Sequence, residues 1–157
     1  MRYEIDQSIK IEQTQKDTVI GISNGKSYTI LVKRHVKRKL QQEFRKHRTP
    51  RLFVYRTFIG SIVLLLKYFV LKNNVTIEID TEYQGQNKIL TSMFYEMWNA
   101  ISKVNVNIKF TYIGRSSRSH QVSYLTTIGK LKPNKILTYK ELSSMVLKSP
   151  PKTKLDA

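Results

Sequence analysis

The sequence contains no cysteine, and this absence excludes several kinds of chemistry. A chain without cysteine forms no disulfide bond, offers no thiolate to zinc and has no thiol nucleophile, while its redox compartment stays open. Acidic residues are also scarce, with 11 Asp and Glu against 28 Lys and Arg, which gives a net charge of +17. A domain this basic repels itself, and a polyanionic partner relieves that repulsion. DNA, RNA and an anionic membrane surface are the candidate partners.

The chain lacks an unbroken apolar run of the roughly 20 residues that a transmembrane helix requires. The most apolar segment, residues 52–71, is interrupted by Arg56 and Lys67, so we interpret it as a buried helix. Residues 1–12 are polar and carry charges of both signs, which is unlike a secretory signal. These features predict a cytoplasmic protein with no transmembrane segment, and they leave the oligomeric state open.

The length and composition predict one domain. The chain has 157 residues, of which 40% are hydrophobic, enough for a single compact core. We expect residues 1–148 to form one α/β nucleic-acid-binding domain. Residues 149–157, which include Pro150 and Pro151, are expected to be a flexible tail.

Alternating apolar residues predict several strands. Residues 18–23 and 28–32 are β-rich and flank Asn24-Gly25, which is the strongest short signal for a hairpin. Two further strands are expected at residues 75–82 and 106–113. Residues 2–6 and 9–13 alternate weakly, and each is expected to be a short edge strand.

Helical periodicity fills the remaining segments. The predicted helices cover residues 33–48, residues 49 to about 71 with Thr49 as N-cap, residues 87–102, a segment ending near Gly129, and a last helix opened by the capping box Thr138 to Glu141. Strands that alternate with helices call for parallel pairing, whereas the hairpin is antiparallel. We therefore predict an α/β fold, with a mixed parallel and antiparallel sheet flanked by helices in three layers.

The first candidate site is the basic segment at residues 33–51. Val36, Leu40 and Phe44 recur every four residues and are expected to face the core, while Glu43 is the only acid in the segment. If about five of its charges contact phosphates, log affinity falls with log salt at a slope of about −4 to −5. The alternative is a solvated helix face. The predicted phosphate contacts are Lys33, Arg34, Lys37, Arg38, Lys39, Arg45, Lys46, Arg48 and Arg51.

The second candidate is an acidic strand. Glu78, Asp80 and Glu82 alternate, so they are expected to share one face of the sheet. Carboxylates on one face can bind Mg²⁺ or Mn²⁺ and support hydrolysis of a phosphodiester by two metal ions. In the alternative interpretation, these residues pair with Lys or Arg on an exposed face.

The third candidate is the turn at residues 114–119. It follows a strand and opens a helix, so its backbone N–H groups would point toward a bound phosphate, with Arg115 and Arg118 as added donors. A simple N-cap turn is the alternative. His120 follows this turn, and it becomes a catalytic candidate only if folding brings it beside Asp80.

The order of elements and three short motifs resemble the RNase H-like fold, especially its Holliday-junction-resolvase branch. The resemblance covers roughly residues 18–128 and begins at Val19-Ile20-Gly21-Ile22-Ser23-Asn24-Gly25, which is similar to the family's first-strand pattern I-G-I-D-x-G. Ile77-Glu78-Ile79-Asp80 resembles its central acidic strand, and Ser119-His120-Gln121 falls on its last helix. The family begins with three antiparallel strands, for which this chain offers the hairpin and residues 9–13.

The resemblance implies a metal site that this sequence only partly fills. The family's first-strand aspartate falls on Ser23, its last metal-site residue falls on His120 or Gln121, and Asp80 is retained. The resemblance thus implies either a nuclease that uses Mg²⁺ or Mn²⁺ on Asp80, Glu82 and Glu78 with His120, or a member that binds without cutting. It also implies that Asp80, Ser23 and His120 converge at the sheet edge.

Three function classes follow from the sequence. The first is a basic nucleic-acid-binding protein that acts as a metal-dependent nuclease through Asp80, Glu82 and His120. The second is a non-catalytic architectural or ribosome-associated binder of DNA or RNA, without a cofactor. The third is a membrane-surface or protein-interaction module. Metal-dependent cleavage indicates the first class. Salt-dependent binding without cleavage indicates the second, and a preference for anionic vesicles indicates the third.

Overall fold

The computed structural model describes residues 2–69 and 71–147, so the predicted tail at residues 149–157 lies outside the described residues. The elements in chain order are β1 Arg2–Ser8, β2 Thr18–Asn24, β3 Lys26–Val32, α1 Arg34–Lys46, α2 Leu52–Tyr68, β4 Val75–Asp80, α3 Asn87–Ile101, β5 Val106–Thr111, α4 Arg118–Thr127, β6 Lys135–Ile136 and α5 Tyr139–Val146. The predicted hairpin is confirmed, with Gly25 at its turn at a φ of 71°. The predicted capping box on Thr138 and Glu141 is also confirmed.

The strands form one six-stranded sheet in the order β5-β4-β1-β2-β3-β6. β2 is antiparallel to both of its neighbours, β1 and β3. The pairs β1–β4, β4–β5 and β3–β6 are parallel. The predicted α/β class, with a mixed sheet flanked by helices, is therefore confirmed.

β1 lies at the centre of the sheet, between β4 and β2. The prediction of an edge strand at residues 2–6 is therefore wrong. Its alternation is weak because the strand is covered on both faces, so that Ile5 and Asp6 are both buried. Residues 9–13 are not a strand either: Ile9 turns the chain at a φ of 65°, and residues 9–17 form the β1–β2 loop.

The two faces of the sheet carry different layers. Ile5 and Ile22 are paired and belong to the main hydrophobic core, together with much of α2. Their neighbours Asp6 and Gly21, also paired, point the other way, toward α4. A Cβ at Gly21 would collide with the hydroxyl of Ser123, so glycine permits the close approach of α4 to β2. α4 covers one face of the sheet. α2 covers the other face and contacts α1, α3 and α5, so the sheet is the middle of three layers.

The junction between α1 and α2 differs from the prediction. Thr49 does not cap α2; its N–H and its hydroxyl both donate to the carbonyl of Phe44, at 2.9 and 3.4 Å, and so close the end of α1. α2 begins at Leu52 and ends at Tyr68. It is buried along most of its length, as expected for a core helix. Among the described residues, no helix is both long and apolar enough to span a membrane.

Candidate metal centre

Three carboxylates meet where two neighbouring strands end. β1 and β4 are parallel and in register at Ile5 and Ile79, so the next residues, Asp6 and Asp80, lie side by side. Glu82 follows β4 by two residues and reaches the same place. Oxygen atoms of the three side chains all lie within 4.8 Å of one another. We call Asp6, Asp80 and Glu82 the carboxylate cluster.

Backbone amides fix the two aspartates. Oδ1 of Asp6 accepts the N–H of Gln7 at 2.8 Å. Oδ1 of Asp80 accepts the N–H of Ile113, just beyond β5, at 2.7 Å. These bonds orient both carboxylates without placing a full positive charge beside them.

His120 joins the cluster through Asp6. Its Nδ1 lies 2.7 Å from Oδ2 of Asp6, and its side chain is 37% exposed whereas that of Asp6 is 5% exposed. His120 is the third residue of α4, so this contact ties the helix to the central strand. With Nδ1 directed at Asp6, the ring presents Nε2 on its other side.

Burial and crowding raise the free energy of negative charge in the cluster. Burial raises the pKa of Asp6, the hydrogen bond from His120 opposes that rise, and the charge of Asp80 adds to it. For Glu82, burial and then the hydrogen bond and charge of Asp80 raise the pKa to about 8. The metal-free cluster therefore binds a proton more readily than an isolated carboxyl group does.

Among the described residues, Lys10 of the β1–β2 loop is a cation that contacts Glu82. Its Nζ lies 4.0 Å from Oε2 of Glu82 and donates to the carbonyl of the same residue at 3.3 Å. The Lys10 charge lowers the pKa of Glu82, but it does so less than burial raises it. A single, half-exposed ammonium thus leaves three carboxylates only partly neutralised.

Lys37 holds this loop against α1, and its predicted contact with phosphate is wrong. The side chain is fully buried. Its Nζ donates to the carbonyl of Gln13 at 2.8 Å, to the hydroxyl of Thr18 at 2.9 Å and to the carbonyl of Lys10 at 3.4 Å. Burial lowers its pKa to about 8. The helix period placed Lys37 beside the core stripe, and its ammonium is used to order the loop.

The other basic residues predicted to bind nucleic acid lie on the surface. Val36, Leu40 and Phe44 form the buried stripe of α1, as predicted. Both arginines of the turn before α4 are exposed as well. The exposed members of the predicted set are Lys33, Arg34, Arg38, Lys39, Arg45, Lys46, Arg48, Arg51, Arg115 and Arg118.

The turn before α4 carries a side-chain cap. Ser117 is the N-cap residue, and its hydroxyl accepts the N–H of Ser119 at 3.2 Å. The same hydroxyl donates to Glu4 at 2.7 Å. This geometry corresponds to the alternative interpretation, an N-cap turn, because the Ser117 side chain caps the helix.

Two residues of the predicted site lie outside the cluster. Glu78, predicted as a metal ligand, forms an ion pair with Arg2 at 3.4 Å and is not part of the group that could hold an ion. Ser23 of β2 was predicted to converge with Asp80, but it is paired with Glu4 of β1. The acid beside Asp80 is Asp6, which the sequence interpretation missed because residues 2–6 were assigned to the edge of the sheet. The dipeptide Ile5-Asp6 was the available signal.

The donor set of the cluster suits a hard divalent cation. Mg²⁺ and Mn²⁺ prefer oxygen ligands, and three carboxylates supply them. The raised pKa of Glu82 shows that the crowded site favours an added positive charge, here a proton. Asp6, Asp80 and Glu82 are therefore the residues that could hold Mg²⁺ or Mn²⁺, with His120 supporting Asp6.

Comparisons with known proteins add nothing to this geometry. No family model, curated protein or solved structure matches the chain. A functional interpretation must therefore come from the chemistry of the cluster and from the charge of the surface around it.

Proposed function

We propose that this protein is a nuclease of the RNase H-like type that depends on Mg²⁺ or Mn²⁺. The observation that carries the proposal is the convergence of Asp6, Asp80 and Glu82 at the ends of two central parallel strands. This cluster lies in a chain with a net charge of +17, which suits a polyanionic substrate.

The strand arrangement supports the family assignment. β1, β2 and β3 form the three antiparallel strands that the resemblance implies at the start of the fold, with residues 2–8 as the first of them. The sequence Tyr3-Glu4-Ile5-Asp6-Gln7-Ser8 agrees with the pattern I-G-I-D-x-G at the second isoleucine and the aspartate, and departs from it at the first isoleucine and at both glycines. On this alignment the first-strand aspartate is Asp6, and His120 stands on α4, which corresponds to the family's last helix.

The chemistry follows from the cluster. Divalent cations supply a Lewis acid and an activated water for phosphodiester hydrolysis. Asp6, Asp80 and Glu82 would hold them, and the N–H bonds from Gln7 and Ile113 keep the two aspartates in place. His120 acts through Asp6 as a positioning residue, because its Nδ1 contacts that carboxylate.

A purely structural binder would not need this cluster. Exposed lysines and arginines are sufficient for contact with phosphates. By contrast, burial, and then the neighbouring carboxylates Asp80 and Asp6, raise the pKa of Glu82 to about 8, which marks a cost of negative charge in the metal-free protein. Such a cost is expected where a site is arranged for a cation. The arrangement therefore favours the nuclease over the non-catalytic binder.

A cleavage assay tests the proposal. End-labelled DNA duplex, RNA–DNA hybrid, single strands and a DNA four-way junction are incubated with the protein in Mn²⁺, Mg²⁺ or EDTA. We expect cleavage of at least one substrate in Mn²⁺ or Mg²⁺ and none in EDTA. The variant Asp80→Asn, purified identically, should bind but not cleave, and so it controls for contaminating nucleases. Binding without cleavage of any substrate in either metal would overturn the nuclease proposal.

A further inference from the structure

Three arginines form a row along one flank of α1. Arg34, Arg38 and Arg45 are four and seven residues apart, a spacing that aligns side chains on one side of a helix, and all three are exposed. We call them the arginine row. It extends over roughly 16 Å, at about 1.5 Å per residue.

The arginine row borders the β1–β2 loop. Arg38 donates to the carbonyl of Thr14 at 3.5 Å, and the N–H of Arg34 donates to Asp17 at 2.7 Å. The other flank of the helix faces α5, because Nζ of Lys39 lies 4.3 Å from the ring centre of Tyr139. The row is thus the flank of α1 that adjoins the loop.

The same loop reaches the carboxylate cluster. Lys10 contacts Glu82 with its ammonium, while its own carbonyl accepts from Lys37 of α1. Through these contacts, the loop links the cluster to the flank of α1 that carries the arginine row.

A row of positive charge suits the phosphates on the face of a stiff duplex whose axis lies along the row. One strand of a duplex presents a phosphate about every 3.4 Å along the axis, so the row matches about five base-pair steps. Duplex DNA stays straight over this length because its persistence length is about 150 base pairs. A guanidinium has five donors in a planar fork, so even Arg38 keeps most of its donors for phosphate oxygens.

We infer that the arginine row binds the backbone of a duplex arm that extends from the carboxylate cluster across the β1–β2 loop. This inference rests on the proposed nuclease function and specifies its substrate. The substrate carries at least about five base pairs of duplex on one side of the cleaved bond. Single strands lack the stiff axis that keeps phosphates along the whole row.

Salt titrations of binding test this inference on the whole protein. A fluorescent DNA duplex of about 20 base pairs is titrated in EDTA at about 50 to 200 mM salt. The double variant Arg38→Gln/Arg45→Gln should bind with a salt slope that is shallower by about 1.8, since each lost phosphate contact is worth about 0.9. Between these salt concentrations, the wild-type affinity should thus fall about tenfold more than that of the variant.

The matched control removes two charges at the opposite end of the strands from the cluster. Lys72 and Lys103 are exposed and precede β4 and β5, where these parallel strands begin, whereas the cluster lies where they end. Lys72→Gln/Lys103→Gln should keep the wild-type slope. An equal change in both double variants would overturn the inference, because charge would then act without regard to position. Thermal melting of both variants verifies their folding.

Arm length and strandedness give a second readout. Hairpin-capped duplexes of about 4 base pairs should bind wild-type protein and the row variant alike, whereas those of about 12 should distinguish them. The same distinction on a single strand would overturn the duplex assignment. If the row variant cleaves as fast as the wild type, this inference is overturned and the nuclease proposal stands. Row-dependent duplex binding without cleavage in Mn²⁺ would overturn the nuclease proposal alone.

Discussion

Oδ2 of Asp6 lies 2.7 Å from Nδ1 of His120, although 113 residues separate them in the chain. This contact joins the central strand to α4 at the one end of β1 where Asp80 and Glu82 also lie. The imidazole is half-exposed and the carboxylate is buried, so the histidine closes the cluster from the solvent side.

Replacing His120 should weaken the use of metal more than the binding of nucleic acid. In His120→Ala, the carboxylate of Asp6 loses its partner, and loss of a supporting contact of this kind typically costs 10- to 100-fold in metal affinity or activity. We expect a higher Mn²⁺ concentration for half-maximal cleavage, with an unchanged dissociation constant for duplex in EDTA. An unchanged Mn²⁺ dependence would contradict the positioning role.

The proton on Glu82 should make metal-free stability depend on pH. The pKa of Glu82 is raised from its ordinary value of 4.5 to about 8, by burial and then by Asp80. Between these pH values the unfolded chain binds fewer protons than the folded protein, so stability falls as pH rises. Urea unfolding in EDTA should show this fall from about pH 5 to about pH 8.

The variant Glu82→Gln isolates that effect. It removes the titrating group and keeps the shape and hydrogen-bonding capacity of the side chain. Its stability should fall less than that of the wild type over the same pH interval, because the contribution of Asp6 is present in both proteins. Equal pH dependence in the two proteins would mean that Glu82 does not hold the proton.

The sequence predicted the parts of the fold that depend on local pattern. Asn24-Gly25 requires a tight turn, Thr138 and Glu141 cap each other, and Val36 and Leu40 recur with the helical period. Each of these signals is complete within a few residues. The structure contains all three features.

The candidate site depended on long-range pairing that local pattern does not contain. Asp6 and Asp80 meet because β1 pairs with β4, and nothing in residues 2–8 identifies their neighbour. A strand buried on both faces usually has a continuous apolar run, but Asp6 and Gln7 are polar and buried, so β1 does not have the pattern of a central strand. Asp80, which ends a clearly alternating strand, was found, whereas Asp6 was not.

Lys37 and Glu78 show the same limit at the level of single side chains. Periodicity placed Lys37 at the border of the buried stripe, where a long side chain can either reach solvent or turn inward. It turns inward because three oxygen atoms of the loop and of β2 accept hydrogen bonds from its ammonium. Glu78 shares a face with Asp80 but is bound by Arg2, a residue of the neighbouring strand.

Binding of Mg²⁺ should stabilise the protein through Asp80 and not through Glu78. A ligand at about 100 times its dissociation constant stabilises the folded state by about 2.7 kcal/mol. We expect added Mg²⁺ to raise the melting temperature of wild-type protein and of Glu78→Gln by similar amounts. In Asp80→Asn the increase should disappear. A loss in Glu78→Gln would place the metal nearer to Arg2 than the cluster geometry indicates.

Removal of the Lys37 ammonium should loosen the loop that carries Lys10. In Lys37→Met the carbonyls of Lys10 and Gln13 and the hydroxyl of Thr18 lose their donor, and unsatisfied buried polar groups cost about 1–3 kcal/mol. Urea unfolding should show that the free energy of unfolding falls by this amount. The control Lys39→Met, an exposed residue on the same helix that stacks on Tyr139, should lose less than about 1 kcal/mol.

The same pair of variants shows whether the loop positions Lys10 for the cluster. If Lys37 holds the loop in place, Lys37→Met should change the pH dependence of metal-free stability, because Lys10 would no longer lower the pKa of Glu82. Lys37 has a lowered pKa of its own, so the part due to Glu82 is measured as the difference between each lysine variant and the same variant with Glu82→Gln. In the Lys37→Met background this difference should extend to higher pH, since the pKa of Glu82 would rise further above its ordinary value. In the Lys39→Met background it should match the wild type. An identical difference in both backgrounds would show that Lys10 keeps its position beside Glu82 without the Lys37 ammonium.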